Sequence, residues 1–495
     1  MEWQGDEYEV IILGSGLGGL IAGTLLSKEH HRVIVLRESQ YHPFCEEKGY
    51  RFVPFSNFLE KRLRIDFLKR VFEKLDSSLF IDDSEETVQD ERKWKKPKQK
   101  VAFQVILPKA RIDLFCQRSM LQMELKREFP KELVQIENFY NEIEEFQHLL
   151  DQERAKEQPG SGFPIQPRSL IRKWWPFKAL PNKRMDEKLA PFSGEFREFM
   201  QLQLISWGDL FSDQFPISLA DYLLFHDEKD KRLSEVDLER LKGKILEKFF
   251  QWGGRIEEIE GVERIEGGWI KRITLLPKGD GRTFRSNFLI FNSPLHRLSD
   301  LLGKKGRLLS KWGERIAPRY VLIPLFLGIR EKVVPVGMRD LLVSIFKLNK
   351  PYEGGNLLFL SLSKKGDEAE APDGRRALTV ESLMSPEKWD SDSFAEHRKG
   401  VMEHLTHLFP FLEENVEFTN WDWVNKQSSC WSYPHFRYET TSDFYWREGV
   451  VPNRISRRFY FIGKENFPYL GMEGEILSGL IAAQEILERF SKRSI

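Results

Sequence analysis

The run Gly14-Ser15-Gly16-Leu17-Gly18-Gly19 restricts the fold of this chain more than any other stretch. Before it stands Glu9-Val10-Ile11-Ile12-Leu13, a short apolar run suited to a buried parallel strand. After it, residues 20–27 are apolar or small and read as a helix, and Arg32-Val33-Ile34-Val35-Leu36 reads as a second strand. Strand, G-x-G-x-x-G turn, helix and strand in this order make a dinucleotide-binding βαβ unit over residues 8–38. The first glycine permits the tight turn, the second lets backbone approach a pyrophosphate, and the third lets helix and strand pack closely. The helix N-terminus then faces the phosphates.

A membrane span is the competing reading, because residues 10–26 carry no charge. Glycines crowd the first half of that stretch, and the acidic residues Glu2, Asp6, Glu7 and Glu9 precede it. A secretory signal requires a basic start. The expectation is a cytoplasmic protein, soluble or peripheral to a membrane. Lys+Arg and Asp+Glu balance at 76 each, so no net field draws the chain to nucleic acid. The three cysteines, Cys45, Cys116 and Cys430, are far apart and form no C-x-x-C, which points to neither a disulfide framework nor a zinc site. With 495 residues, two or three domains are expected, and 38 Phe with 13 Trp favour a large apolar interior or cleft.

Along the chain, residues 59–80 read as an amphipathic helix and residues 82–100 as a charged, solvated loop. Residues 101–107 and 111–115 alternate like paired strands across a turn at Pro108. Helical periodicity covers 119–150 with a break at Pro130, and a Pro/Gly-rich linker covers 158–167. A helix over 233–252 stops at Gly253-Gly254. Short strands follow over 255–276 and 284–291. Residues 320–329, 341–346, 356–362 and 376–383 read as antiparallel strands of a second domain. The helix over 393–408 carries His404 and His407 at i, i+3. With no third ligand nearby, they are read as a solvated helix face, and no metal is expected. A strand over 458–463 leads into Gly471-Met472-Glu473-Gly474-Glu475-Ile476-Leu477-Ser478-Gly479, a second glycine-rich junction, and a helix over 480–490.

These pieces together resemble the FAD-dependent superfamily of phytoene desaturases, carotenoid isomerases, retinol saturases and amine oxidases. The βαβ unit resembles the N-terminal FAD motif of that superfamily, and Lys48-Gly49-Tyr50-Arg51-Phe52 resembles the G-Y-x-F segment of its carotenoid isomerases and retinol saturases. The stretch 254–265, with Val262, resembles the strand whose backbone contacts the adenine. Residues 459–486 resemble the C-terminal motif beside the flavin. The resemblance implies an α/β fold, with a discontinuous Rossmann-type FAD-binding domain (1–80, 240–305 and 450–495). An inserted α+β substrate domain (81–239 and 306–449) contains the antiparallel sheet. It also implies non-covalent FAD, held by Gly14, Ser15, Gly16, Leu17, Gly18, Gly19, Arg37, Glu38, Val262, Gly463, Lys464, Gly471, Met472, Glu473 and Gly474.

Several positions depart from the family pattern. Arg37 stands where the family ends its second strand with a ribose-binding Glu, and Glu38 follows one step later. A guanidinium only donates and cannot accept from ribose hydroxyls. It would suit a 2′-phosphate, so NADP is the secondary cofactor expectation. Pro43-Phe44 replaces a Gly-Gly pair, Phe52-Val53-Pro54-Phe55-Ser56 loses an acid and a glycine, and Lys464 with Glu465 replaces an acid beside the flavin chain. These departures imply weaker FAD binding than is usual in the family. The functional expectation is an oxidoreductase of desaturase, saturase or isomerase type, moving a hydride to or from flavin N5 on a hydrophobic, isoprenoid- or lipid-like substrate. The alternative is a non-catalytic homologue that serves as a partner subunit or lipid-binding protein. No catalytic residue is assigned, although Trp431, His435 and Tyr438 precede the C-terminal motif, where the family often lines its cavity. Residues 170–177, with Leu170, Trp174, Trp175 and Phe177 beside Arg172 and Lys173, suit a peripheral membrane contact.

Overall fold

The computed structural model describes residues 5–38, 45–52, 65–76, 101–155, 184–208, 210–211, 215, 217–224, 235–266, 270–276, 282–302, 316–388, 391–422, 436–440 and 451–492. In chain order the strands are β1 (Glu7–Leu13), β2 (Val33–Glu38), β3 (Cys45–Glu47), β4 (Tyr50–Phe52), β5 (Val101–Ile106), β6 (Arg111–Phe115), β7 (Arg255–Ile259), β8 (Val262–Glu266) and β9 (Lys271–Leu275). They continue with β10 (Thr283–Phe291), β11 (Ile316–Arg330), β12 (Leu341–Ile345), β13 (Leu357–Leu362), β14 (Arg375–Met384), β15 (Val416–Asn420), β16 (Phe436–Thr440), β17 (Arg454–Ser456) and β18 (Phe459–Phe461).

Strands β18, β10, β1, β2 and β7 lie side by side in that order and run parallel. β17 flanks β18 antiparallel, and the β8–β9 hairpin joins β10 through β9. This sheet is assembled from three separate stretches of chain, as a discontinuous Rossmann-type fold requires. Its strands are apolar on both faces because both are covered. Val10, Ile12, Val33, Val35, Phe288 and Ile290 face the helices Leu17–Lys28, Glu235–Gln251 and Gly471–Ser491. Ile11, Leu13, Ile34, Leu36, Leu289 and Phe291 belong to the larger core on the other side.

The last helix differs from its sequence reading. It begins at Gly471, not near residue 480, and runs 21 residues to Ser491. A glycine inside a helix costs about 1 kcal/mol relative to alanine. Here close backbone packing offsets that cost. A Cβ on Gly479 would overlap the carbonyl oxygen of Gly18, and one on Gly18 would overlap the carbonyl of Glu475.

The second sheet has the order β15-β11-β14-β13-β12-β5-β6, with β16 also paired to β11. All its pairs are antiparallel except β5 with β12. One face packs on the helix Ser391–Leu408 through Leu325, Leu327, Leu358, Val380 and Leu405. The larger core is rich in aromatics from the helices between the sheets, including Phe139, Phe196 and Phe199. The periodic stretch around Pro130 resolves into two helices, Arg118–Glu128 and Leu133–Ala155.

One histidine reading is corrected. His407 is exposed, but His404 is buried: its Nδ1 lies 2.8 Å from the Gly355 carbonyl oxygen and its Nε2 2.8 Å from Ser344 Oγ. Burial holds its pKa down at about 4, so it stays neutral and works as a polar staple between the helix and β12. Among the described residues no cluster suits a metal ion, and no helix is long and apolar enough to cross a membrane. Residues 10–13 of the uncharged N-terminal stretch are strand and residues 17–26 are helix. Pro43, Phe44, Cys430, Trp431, His435 and the segment 170–177 lie outside the described residues.

Two stability outcomes are expected. Gly479→Ala should cost about 1–3 kcal/mol, because backbone must move to admit one methyl group. An unchanged melting temperature would refute the close helix contact. Asp221 is 4% exposed, beside Lys188 at 3.4 Å. Burial pushes its pKa from 3.8 up to about 7, with Lys188 opposing and Glu142 adding to the rise. Between these values the folded chain keeps a proton that the unfolded chain has lost, so stability falls as pH rises from about 4 to 7. Asp221→Asn should therefore be more stable than the parent above pH 7, by at most roughly 4 kcal/mol, with the gap closing below about pH 4. Chemical denaturation across this range gives the check, and a pH-independent difference would refute the assignment.

Candidate functional site

Three parallel strands end at one level. The Gly14 N–H donates to Leu36 O, Asn292 N–H to Leu13 O (2.7 Å) and Ile462 N–H to Phe291 O (2.8 Å). The residues just beyond β1, β10 and β18 therefore share the carboxyl edge of the sheet, where open α/β folds bind ligands. Gly14 has φ +100°, and a Cβ there would overlap the Asn292 carbonyl, so both conformation and space demand glycine. The first helix begins at Leu17, directly in the glycine turn.

Asn292 and Glu475 meet at this helix start. The Gly19 N–H donates to Asn292 Oδ1 at 3.1 Å, and the Gly18 N–H donates to Glu475 Oε1 at 3.2 Å. Asn292 Nδ2 lies 3.0 Å from the Ile462 carbonyl oxygen and 3.2 Å from the same carboxylate oxygen. The two side chains thus satisfy two of the donors that a helix leaves open at its N-terminus. Neither stands out by sequence reasoning alone. The available signals were a polar residue directly after a predicted parallel strand, for Asn292, and a second acid inside the glycine-rich junction, for Glu475.

Around them a polar web holds the turn after β18. Asn466 Oδ1 accepts from the Gly463 N–H (2.8 Å) and the Ser478 hydroxyl (2.7 Å), while Asn466 Nδ2 donates to Val451 O. Asn453 Nδ2 donates to Ser478 Oγ at 2.6 Å. Glu465 is buried, and its Oε1 accepts from the Leu295 N–H (2.9 Å) and the Tyr438 hydroxyl (3.0 Å). Burial raises its pKa against the pull of those donors, and burial beside Glu465 raises Tyr438 well above its ordinary value. Tyr438 is therefore a protonated donor, not a base.

The fold brings several of the sequence-singled residues together and separates others. Gly14, Ser15 and Gly16 are half-buried, while Leu17, Gly18 and Gly19 are buried in the helix start. Gly471, Met472, Glu473 and Gly474 form the buried first turn of the last helix, whose Glu475 reaches Gly18. Tyr222 donates to Glu473 at 3.0 Å, linking that turn to the helix Ile217–Leu224. Gly463 is buried and Lys464 half-buried. At the end of β2, Arg37 pairs with Glu258 across the β2–β7 register, and Glu38 is buried. Val262 opens β8 and is buried.

Tested against FAD, the chain fits in its scaffold. A glycine turn sits at the carboxyl edge of a parallel sheet, with a buried helix N-terminus and a second glycine-rich helix start beside it. Glu475 is the exception. A Cβ on Gly16 would overlap its carboxylate oxygen, so the space that the second glycine clears holds a carboxylate.

Residues 278–487 match the family of flavin-containing amine oxidoreductases. No curated protein sequence matches the chain. Among solved structures, putrescine oxidase bound to putrescine shares 14% identity, with 97% of this chain and 99% of that one covered and a TM-score of 0.56. Cyclohexylamine oxidase from Brevibacterium oxydans shares 14% identity over 98% and 99% of the two chains, with a TM-score of 0.55. An oxidoreductase from Methanosarcina mazei shares 15% over 96% and 99%, also with a TM-score of 0.55. FAD is the cofactor that this family match supports. The matched segment, which spans β10, most of the second sheet and most of the last helix, is similar to the flavin-containing amine oxidoreductases, and the solved structures share the fold of the whole chain.

Proposed function

We propose that the chain is an FAD-dependent oxidoreductase acting on a small, largely apolar molecule. The supporting observation is the junction of two glycine-rich helix starts at the carboxyl edge of the parallel sheet, inside a fold shared with amine oxidases. Residues 14–19 would lie against the pyrophosphate, and the first turn of the last helix beside the flavin. The cofactor would supply the exchange of a hydride with substrate carbon, and the protein its position and surroundings. Two of the similar structures are named for amines, putrescine and cyclohexylamine. A hydrophobic amine therefore joins isoprenoid- and lipid-like molecules as a substrate class to screen.

A non-catalytic homologue is the second reading, and one observation favours it: the Gly18 N–H and the space before Gly16 are taken by Glu475. One experiment separates the two. Denatured purified protein should release FAD, identified by chromatography, and the bound flavin should bleach anaerobically with a hydrophobic amine or isoprenoid from a screen. Bound FAD that dithionite reduces but no screened substrate does would favour the non-catalytic reading. Absence of FAD, with none taken up at micromolar concentration, would overturn the oxidoreductase reading.

A further inference from the structure

We propose that Glu475 acts as an internal anion in the nucleotide site, and that FAD enters only by displacing it. This rests on the FAD reading above and adds the residue that sets how tightly the site holds its cofactor.

The chemistry of the position carries the argument. A helix N-terminus favours an anion because its first N–H groups lack partners and its dipole is positive there. In this chain the buried carboxylate of Glu475 supplies that anion, accepting from the Gly18 N–H at 3.2 Å and from Asn292 Nδ2 at 3.2 Å. Among the described residues no Lys, Arg or His pairs with it, so backbone and amide donors alone compensate its charge. A phosphate oxygen would seek the same donors, and two anions repel strongly where water is scarce.

The site cannot open by sliding the last helix. Gly479 lies against the Gly18 carbonyl and Gly18 against the Glu475 carbonyl, which fixes that helix on the first. Rotation of the Glu475 side chain is the remaining route. Each nucleotide then binds at the expense of two existing hydrogen bonds, and the cofactor is exchangeable instead of permanently resident.

Flavin fluorescence quenching, with ADP as a second ligand that carries the diphosphate without the flavin, tests this on apo-protein. Parent, Glu475→Ala and Glu475→Gln are compared, and circular dichroism checks that each is folded. Gln keeps an acceptor for the Gly18 N–H without the charge, so it remains informative if the Ala variant fails to fold. Glu475→Gln should bind FAD and ADP at least tenfold more tightly than the parent, and Glu475→Ala more tightly still, with slower FAD release. If the variants bind but the parent does not, Glu475 closes the site outright and the displacement proposal is overturned. If the parent binds FAD and neither variant binds it more tightly, the proposal is overturned while the FAD reading stands. If none of the three binds FAD or ADP, both fall together.

Discussion

The backbone contact between Gly18 and Gly479 is the constraint on which the nucleotide-type part of the molecule depends. It joins the first helix to the last at a distance only glycine permits, since a side chain on either residue would strike the other helix. Closing so long a loop costs less than intuition suggests, because loop entropy grows only logarithmically with length, by about 0.6 kcal/mol per doubling. What the contact requires is accuracy. Both helices must lie on the same face of the parallel sheet, and their shared apolar cluster of Leu20, Ile21, Ile476, Leu480 and Ile486 places them there.

From that contact follows the polar arrangement at the carboxyl edge of the sheet. With the helices fixed, the donors of Gly18 and Gly19 face the ends of β10 and β18. Asn292 spans the gap, accepting from one helix and donating to the Ile462 carbonyl. Buried polar groups are costly unless paired, so the chains of bonds through Asn292, Asn466 and Asn453 hold this edge in one arrangement. The same closeness that builds a phosphate-type cradle lets the Glu475 side chain reach into it.

The small β3–β4 hairpin, which follows β2 in the chain, is anchored on the second sheet. Its turn residues Lys48 and Gly49 both have positive φ, which matches the twist of a two-residue hairpin. Tyr50 lies over Gly328, where a Cβ would meet its ring, and Phe52 stacks on Phe326 at 5.0 Å. The Tyr50 hydroxyl, pushed up to about 12 by burial and by Glu417, stays protonated and donates to that carboxylate at 3.1 Å. Arg375 and Arg330 hold Glu417 down at about 2, so the anchor is charged on the carboxylate side throughout the neutral range.

The glycine turn, the alternation of β5 and β6, the antiparallel run from β11 to β14 and the break at Pro130 were legible in the sequence, because each is set by local sterics or by a period of two or 3.6 residues. So was the pairing of two glycine-rich junctions within one α/β unit. The residues that decide the site were less accessible. His404 and His407 look alike in the sequence, yet only the helix orientation decides that one is a buried staple and the other is solvated. The different surroundings of Arg37 and Glu38 are set by the β2–β7 register, which places Arg37 beside Glu258 and leaves Glu38 buried. Glu465 looks free to replace a missing acid, but Leu295 and Tyr438, brought from distant parts of the chain, already engage it. By itself the sequence determined the Rossmann-type fold class and the place of the phosphate-type turn, because glycine spacing is a local requirement. Only tertiary structure decided that Glu475, 457 residues away from Gly18, sits on that turn, because a contact at such separation is set by how whole helices pack and not by any local pattern.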